Sequence, residues 1–374
     1  MKTVMIAVGI VVLLVFLAGG IFVFHLVRTA LDAADDAPKM PDALSVAKVV
    51  SGDGLFAKAI YYKQPDLGVI TDIERTQTRE PLVVGHSGAA FLSEDLSASR
   101  KVQFDRCDHD VVFSELAGGS FLCRGSWNTG VSLIGLDGKT LWPYGGFPIA
   151  PDDAAAGVVG ADGAKGVVVG FPGGGGVRFI SPEGKELWRQ TDGNVWHVEI
   201  AASGDKAGNV IVHSNVAGKI TLRDATGTVL GRYQPEIYLG DFSLTAWKDD
   251  PLQDKLIAAK QGYFYVFALD GKTVARLSAA EVVTDTAGAK GVPIHLSKDG
   301  SYYAALVRYP LWDRSVLYIY DEQDRPVYSE IFAQNCAALS SIKGPNSNDD
   351  LLLGCDGMVW KYSQSKPPKR IEPH

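Results

Sequence analysis

Residues 45 to 372 carry almost no sustained helical period. Short β-branched and aromatic runs alternate with Gly, Asp and Pro turn signals, a pattern that predicts antiparallel sheet. One unit returns along the chain: an apolar strand, a tight turn with Gly or Asp, then a second strand. It runs from Val131 to Trp142, Val177 to Trp188, Ile220 to Leu230 and Tyr265 to Val274. Weaker copies run from Ala90 to Arg100, Leu317 to Val327 and Val359 to Lys369. Their spacing of roughly 41 to 53 residues is that of propeller blades. Each turn is expected to join the two outer strands of one blade, because a tight reversal needs positive φ. Two further runs precede the hairpin, such as Val195 to Ile200 and Asn209 to His213, or Pro293 to Leu296 and Tyr302 to Val307.

Four strands per unit cannot bury both faces of one small sheet, but radial stacking can. The pattern therefore predicts an all-β fold, a seven-bladed β-propeller of four-stranded antiparallel blades. A pair of β-sandwiches competes, but would not return the same hairpin at one period. Residues 45 to 63 are left to supply a strand to the last blade or to pack as an N-terminal arm.

The first residues break this pattern. Val4 to Phe24 is an uncharged run of 21 residues rich in Val, Ile, Leu and Phe. That is enough to cross a hydrocarbon core as one N-terminal transmembrane helix. A cleaved signal peptide, with Ala30 or Ala33 near its cleavage site, is the alternative. No cysteine follows the run to take a lipid. The expected division is an anchor over residues 1–28, a polar linker over 29–44 and the propeller over 45–374. Lys2 precedes the run; Arg28 and Lys39 follow it, so charge counts little for orientation. The very short leading tail favours the large domain outside. The expected location is a bacterial-type inner membrane, single-pass, with the propeller in the periplasm or outside.

Composition changes the picture modestly. Asp and Glu number 43 against 36 Lys and Arg, so a clustered basic footprint for nucleic acid is not expected. Lys366, Lys369 and Arg370 read as a solvated tail. The 41 glycines suit many tight turns.

The cysteines fall into two local pairs, Cys107 with Cys123 and Cys336 with Cys355, each flanking the first two strands of a blade. An even count outside the cytoplasm suggests two disulfides; four buried free thiols are the alternative. No histidines stand at metal-ligand spacing. His109, between Asp108 and Asp110, reads as a polar loop before it reads as a metal ligand. His197 and His295 fall at matching places on inner strands and are expected along the central channel. Gly170 to Gly176 lacks the Gly-Lys-Ser/Thr of a phosphate loop and reads as a hairpin loop. Asp249-Asp250 and Asp349-Asp350 read as solvated turn pairs, and no Gly-x-Ser-x-Gly elbow is present. Tyr302, Tyr303, Tyr309, Trp312 and Tyr318 cluster around a blade with a long loop from Tyr309 to Ser315. With Arg314, Tyr309 and Trp312 are candidate partner anchors; blade-to-blade packing is the other reading.

The Asp-Gly-Lys-Thr-Leu-Trp ending at Trp142 and the Glu-Gly-Lys-Glu-Leu-Trp ending at Trp188 resemble the PQQ-like propeller repeat. Asp224 to Leu230 keeps the Thr-Gly but lacks the Trp. The resemblance implies kinship either with quinoprotein dehydrogenases or with the non-enzymatic scaffold of the outer-membrane barrel assembly machinery. The dehydrogenases carry an adjacent-cysteine pair and a calcium site. No two cysteines here are adjacent and no matching acidic cluster is visible, so no cofactor is expected. The expected function is an interaction scaffold or accessory subunit binding other membrane or envelope proteins, not an enzyme. A quinoprotein-like oxidoreductase or small-ligand sensor using the channel is the alternative.

Overall fold

The computed structural model describes residues 39–365 apart from 76–80, 94–97, 106, 108–109, 125–129, 146–150, 192, 205–207, 249, 283–288, 297–300 and 344–347. The chain divides into two compact units, Met1–Ser45 and Val46–His374. Of the first, the described part is residues 39–45, with one 3-10 turn at Asp42–Leu44. Val4 to Phe24, the linker before residue 39, His109 with Asp108, and the tail from Lys366 lie outside the described residues. Among the described residues no helix is long and apolar enough to cross a membrane.

The second unit is a seven-bladed propeller. Blade 1 holds β3 (Ile70–Arg75), β4 (Pro81–Gly85), β5 (Gly88–Leu92) and β6 (Ala98–Gln103). Blade 2 holds β7 (Asp110–Ser114), β8 (Ser120–Arg124), β9 (Val131–Gly135) and β10 (Thr140–Tyr144). Blade 3 holds β11 (Asp153–Val159), β12 (Ala164–Phe171), β13 (Gly176–Ile180) and β14 (Glu186–Gln190). Blade 4 holds β15 (Val195–Ala202), β16 (Asn209–Asn215), β17 (Ile220–Arg223) and β18 (Val229–Tyr233). Blade 5 holds β19 (Ser243–Trp247), β20 (Asp250–Lys260), β21 (Tyr263–Phe267) and β22 (Thr273–Ser278). Blade 6 holds β23 (Ala289–His295), β24 (Ser301–Tyr309), β25 (Arg314–Tyr320) and β26 (Pro326–Phe332). Blade 7 holds β27 (Ala338–Lys343), β28 (Asp349–Cys355) and β29 (Met358–Gln364). Its fourth strand is β2 (Phe56–Lys63), from the start of the unit, and β1 (Lys48–Ser51) adds a fifth strand to blade 6.

Residues 45 to 63 thus do what one of their two expected roles required. The copy from Val359 to Lys369 needs correction: Val359 lies in a third strand, but its outer neighbour comes from the N-terminal side. First strands of most successive blades contact one another around the ring, β27 meets β3, and between blades 2 and 3 it is β8 that meets β11. The core lies between blades, as in the cluster of Ile294, Leu306, Leu317 and Leu353 that joins blades 6 and 7.

The recurring hairpin has a definite geometry. Each turn closes by an N–H donated to the carbonyl three residues back, as from Gly138 to Gly135 and from Gly184 to Ser181. The donor residue takes positive φ: Gly138, Gly184, Gly227, Gly271 and, in blade 6, Asp324. Each outer strand then carries a β-bulge, so Leu141, Leu187, Leu230 and Val274 have no partner in the register and stand exposed. The tryptophan beyond the bulge reaches the next blade. Trp142 Nε1 donates to Pro182 O at 2.8 Å and Trp188 Nε1 to Ala225 O at 2.8 Å. A Cβ on Gly184 would come within 2.7 Å of the Trp142 ring, so this turn needs glycine for close approach as well as for φ. The Gly and Trp of the repeat are one contact seen from two blades.

Both cysteine pairs form disulfides, Cys107–Cys123 and Cys336–Cys355, spanning 16 and 19 residues. Loops of that length are worth about 3 kcal/mol each in the chain-entropy model. Reduction in denaturant is therefore expected to lower the urea midpoint, by similar steps in Cys107→Ser and Cys336→Ser chains. A midpoint indifferent to reductant would show that neither bridge constrains the unfolded chain.

Several expectations about individual residues change. Tyr302, Tyr303, Tyr309 and Tyr318 are buried, so blade packing accounts for them. The loop after Tyr309 is only a 3-10 turn, Pro310–Trp312; the largest part of the stretched period is the connection from Ser278, where β22 ends, to Ala289, where β23 begins. Asp349 and Asp350 are not turn residues but buried members of β28. Asp349 pairs with Lys343 at 2.7 Å and accepts from the His295 backbone N–H, tying blades 6 and 7. The run from Gly170 to Gly176 does form the turn between β12 and β13.

Candidate functional site: the mouth of the central cavity

On one face of the ring, outer strands hand the chain to the next blade and second strands turn into third. There the starts of first strands and the ends of second strands surround a cavity of about 390 Å³ on the ring axis. All seven blades contribute, from Thr71 of blade 1 to Ala337 beside blade 7.

Its floor is a buried ionic chain. Asp110 opens β7, Asp153 opens β11 and Arg124 ends β8, so the topology alone brings them together. Arg124 donates to Asp110 Oδ2 at 2.8 Å and to Asp153 Oδ1 at 2.7 Å. Asp153 Oδ2 accepts from His197 Nδ1 at 2.6 Å and from the Val198 backbone N–H at 3.0 Å. Arg308 of blade 6 stands 3.6 Å from Asp110. Beyond His197, Glu199 and Asp241 each lie 3.6 Å from an imidazole nitrogen. Phe242 packs edge-on to the ring at 4.4 Å. Charge therefore alternates from blade 6 through blades 2 and 3 to blade 4.

Burial works against the charged forms here, and the neighbours outweigh it. Asp153, Glu199 and Asp241 together raise the His197 pKa well above its ordinary value. Arg124 and His197 hold the Asp153 carboxyl well below the usual range. Asp152 lacks such help: burial, with the Asp153 charge, pushes its pKa up to about 6. The raised His197 pKa stabilises the fold fully below the unfolded value of about 6.5, and that contribution is lost as pH rises through the folded pKa. Imidazole NMR is expected to show His197 still protonated at neutral pH, and His197→Gln to remove the alkaline decline in stability. A His197 titration near pH 6.5 would contradict the pairing.

Trp196 and Tyr238 form the lip, 48% and 46% exposed. A bulge between Val195 and His197 leaves Trp196 without a partner across the ladder and turns it to the surface.

Of the residues singled out from sequence, His197 lies at the cavity, while His295 ends its strand at the far side, exposed. Cys336 lines the cavity, and both disulfides tie a blade-to-blade connection to the end of a second strand on this face. Trp312 packs at a tilt on the buried Tyr309, with ring centroids 5.7 Å apart, and Arg314 donates to the carbonyls of Trp312 and Asp313. Their turn is on the cavity face, but its exposed apolar residue is Leu311, 66% exposed, which sequence reasoning missed. It also missed Arg124, Asp153, Trp196 and Tyr238. Asp110 and Asp153 do stand at equivalent places in two repeats, the one signal available.

No family model and no curated protein matches the chain. Solved structures do. A streptogramin B lyase is 10% identical, with 83% of this chain and 98% of that one covered and a TM-score of 0.56. BBS1N, in complex with ARL6DN, is 11% identical, with 85% and 98% covered and a TM-score of 0.53. The Pan2 WD40 domain of Neurospora crassa is 12% identical, with 88% and 98% covered and a TM-score of 0.50. At such identities the likeness shows the β-propeller fold alone, shared by a lyase, by a protein solved in complex with a partner and by a WD40 domain.

Proposed function

From a propeller whose open face is stapled twice, we propose a membrane-anchored, extracytoplasmic interaction scaffold or accessory subunit of an envelope complex. Its partner docks on the face where the cavity opens. The carrying observation is that both disulfides brace connections on that one face. Disulfides persist in oxidising compartments, which agrees with export behind the apolar run Val4 to Phe24 and with a single pass through a bacterial-type inner membrane. Leu311, Val216, Trp196 and Tyr238 supply exposed apolar area around the cavity, and aromatic side chains in such settings make strong anchors. The hairpins that resemble the PQQ-like repeat fit the non-enzymatic scaffold kinship, though the dehydrogenases share them. A quinoprotein-like oxidoreductase has no specific observation in its favour.

Photo-crosslinkers placed at 196 and at 311 in native membranes test the reading against one at Asp162, exposed on the opposite face. Adducts to one partner from the first two sites are expected. Equal adducts from Asp162, or a chain that runs alone in mild detergent, would count against it. Labelling of a cysteine introduced at 162 by an impermeant maleimide reports the side of the membrane.

A further inference from the structure

We propose that the central cavity binds an organic acid with a carboxylate at one end and a second acceptor at the other. Lys290 and Arg308 of blade 6 hold the carboxylate, and His197 Nε2 donates to the second acceptor. The inference goes beyond partner docking and stands without it.

Basic and acidic side chains are balanced along the lining, so the sum of charges favours neither sign. Burial and hydrogen bonding decide instead. Asp110 and Asp153 accept from Arg124, and Asp153 also takes His197. The Asp241 side chain is 48% exposed and that of Glu199 24%, so water reaches the oxygens the imidazole leaves over. Asp152 is also partly open to water. The acidic groups are therefore paired or solvated and ask for no ligand.

The donors differ. His197, only 8% exposed, keeps Nε2 buried without a hydrogen-bond partner. Asp153 fixes one proton on Nδ1 and the surrounding carboxylates hold the second on Nε2, so that atom is a donor with no acceptor. Arg308, its side chain 18% exposed, stands 3.6 Å from Asp110, beyond good hydrogen-bond length. Lys290 makes no hydrogen bond or ion pair among the described residues. Its charge reaches Asp72, but burial pushes that carboxyl toward its neutral form. Buried donors without acceptors are costly, and a ligand that brings acceptors relieves them. Register sets the two cations side by side: Lys290 pairs with Leu306, and Arg308 is two residues further along the same face of β24. A guanidinium fork beside an ammonium suits a carboxylate, planar and singly charged. Phosphate would bring more charge to a place where Asp110 already stands. The volume, about 390 Å³, admits a small diacid, and Leu306, Val112 and Phe242 offer apolar wall to its carbon chain.

Calorimetry on the full chain in detergent tests this with succinate, glutarate, adipate, pentanoate and glutaramide. At least one diacid is expected to bind saturably, roughly tenfold tighter than pentanoate, which lacks the second acceptor, and tighter still than uncharged glutaramide. Capped glutamate separates two sources of the same chemistry. Binding of a diacid alone would mark a free small molecule; binding of capped glutamate as well would mark a side chain offered by another protein. The double variant Lys290→Gln/Arg308→Gln should weaken diacid binding at least roughly tenfold. Lys290→Gln alone, which breaks no hydrogen bond, gives a second test at an unchanged urea midpoint if the double variant does not fold. Asp241→Asn should leave the affinity unchanged or raise it. No saturable diacid binding up to about 10 mM, equal binding of pentanoate or glutaramide, or unchanged affinity in both Lys290 variants would overturn the proposal. So would weaker binding in Asp241→Asn or full displacement by equimolar phosphate. Crosslinking from 196 and 311 reports partner docking separately, so either idea can fail alone.

Discussion

A chain that begins after Lys63 is expected to lose cooperative folding, whereas one that lacks only Lys48–Ser51 should still fold. The reason is where β2 sits. It pairs with β29 from Phe56 opposite Gln364 to Lys63 opposite Met358 and completes blade 7. Its Tyr62 belongs to the core shared by blades 7 and 1. Its Lys58 donates to Glu330 of blade 6 at 2.6 Å and lies 4.4 Å over the Trp360 ring. Glu330 also accepts from Tyr328 and from Tyr362, so one β2 side chain closes a cluster that spans two blades. Losing Tyr62 burial alone removes about 2–3 kcal/mol from a domain total of roughly 5–15 kcal/mol. The ladder and the Lys58 cluster go with it, and the edge of β29 is left open to aggregation. By contrast, all four residues of β1 are exposed. Calorimetric scans of the two truncations give the answer. A sharp transition near that of the full chain in the absence of β2 would mean that the ring does not need this closure.

Arg124→Met is expected to be the most damaging single substitution, costing about 3–5 kcal/mol. The guanidinium bridges Asp110 and Asp153, whose side chains are 14% and 7% exposed. Removing it leaves two carboxylates without their shared cation at the ring axis; Asp153 keeps His197 at 2.6 Å and Asp110 keeps Arg308 at 3.6 Å. Lysine should rescue poorly, because a point charge cannot serve two carboxylates as a planar fork does. The loss should shrink at acid pH. The depressed Asp153 pKa stabilises the wild type above about pH 4, and that contribution disappears as pH falls through the folded value. Urea unfolding at neutral and acid pH measures both effects. A cost below about 1 kcal/mol at neutral pH would place the chain of charges in solvent rather than in protein.

Much of the architecture was legible because it is local and repeated. The turns at Gly138, Gly184, Gly227 and Gly271 need positive φ, and a backbone demand of that kind selects the residue directly. The cysteine pairs are close in sequence, which made two local disulfides one of two readings, and the structure decided for the bridges. The aromatics of blade 6 misled because pattern alone does not distinguish a ring between blades from a ring at the surface. Asp349 and Asp350 misled for a related reason: burial with Lys343 and Lys361 depends on neighbours the sequence does not identify.

The sequence by itself determined the recurring hairpin, which six of the seven blades keep, its glycine-bearing turns and an apolar leading segment, since each depends on a few consecutive residues. The tertiary structure alone decided that β2 seals the ring and that Arg124, Asp153 and His197 meet on its axis. Those residues come from different blades, and only closure of the circle brings the starts of its inner strands within bonding distance.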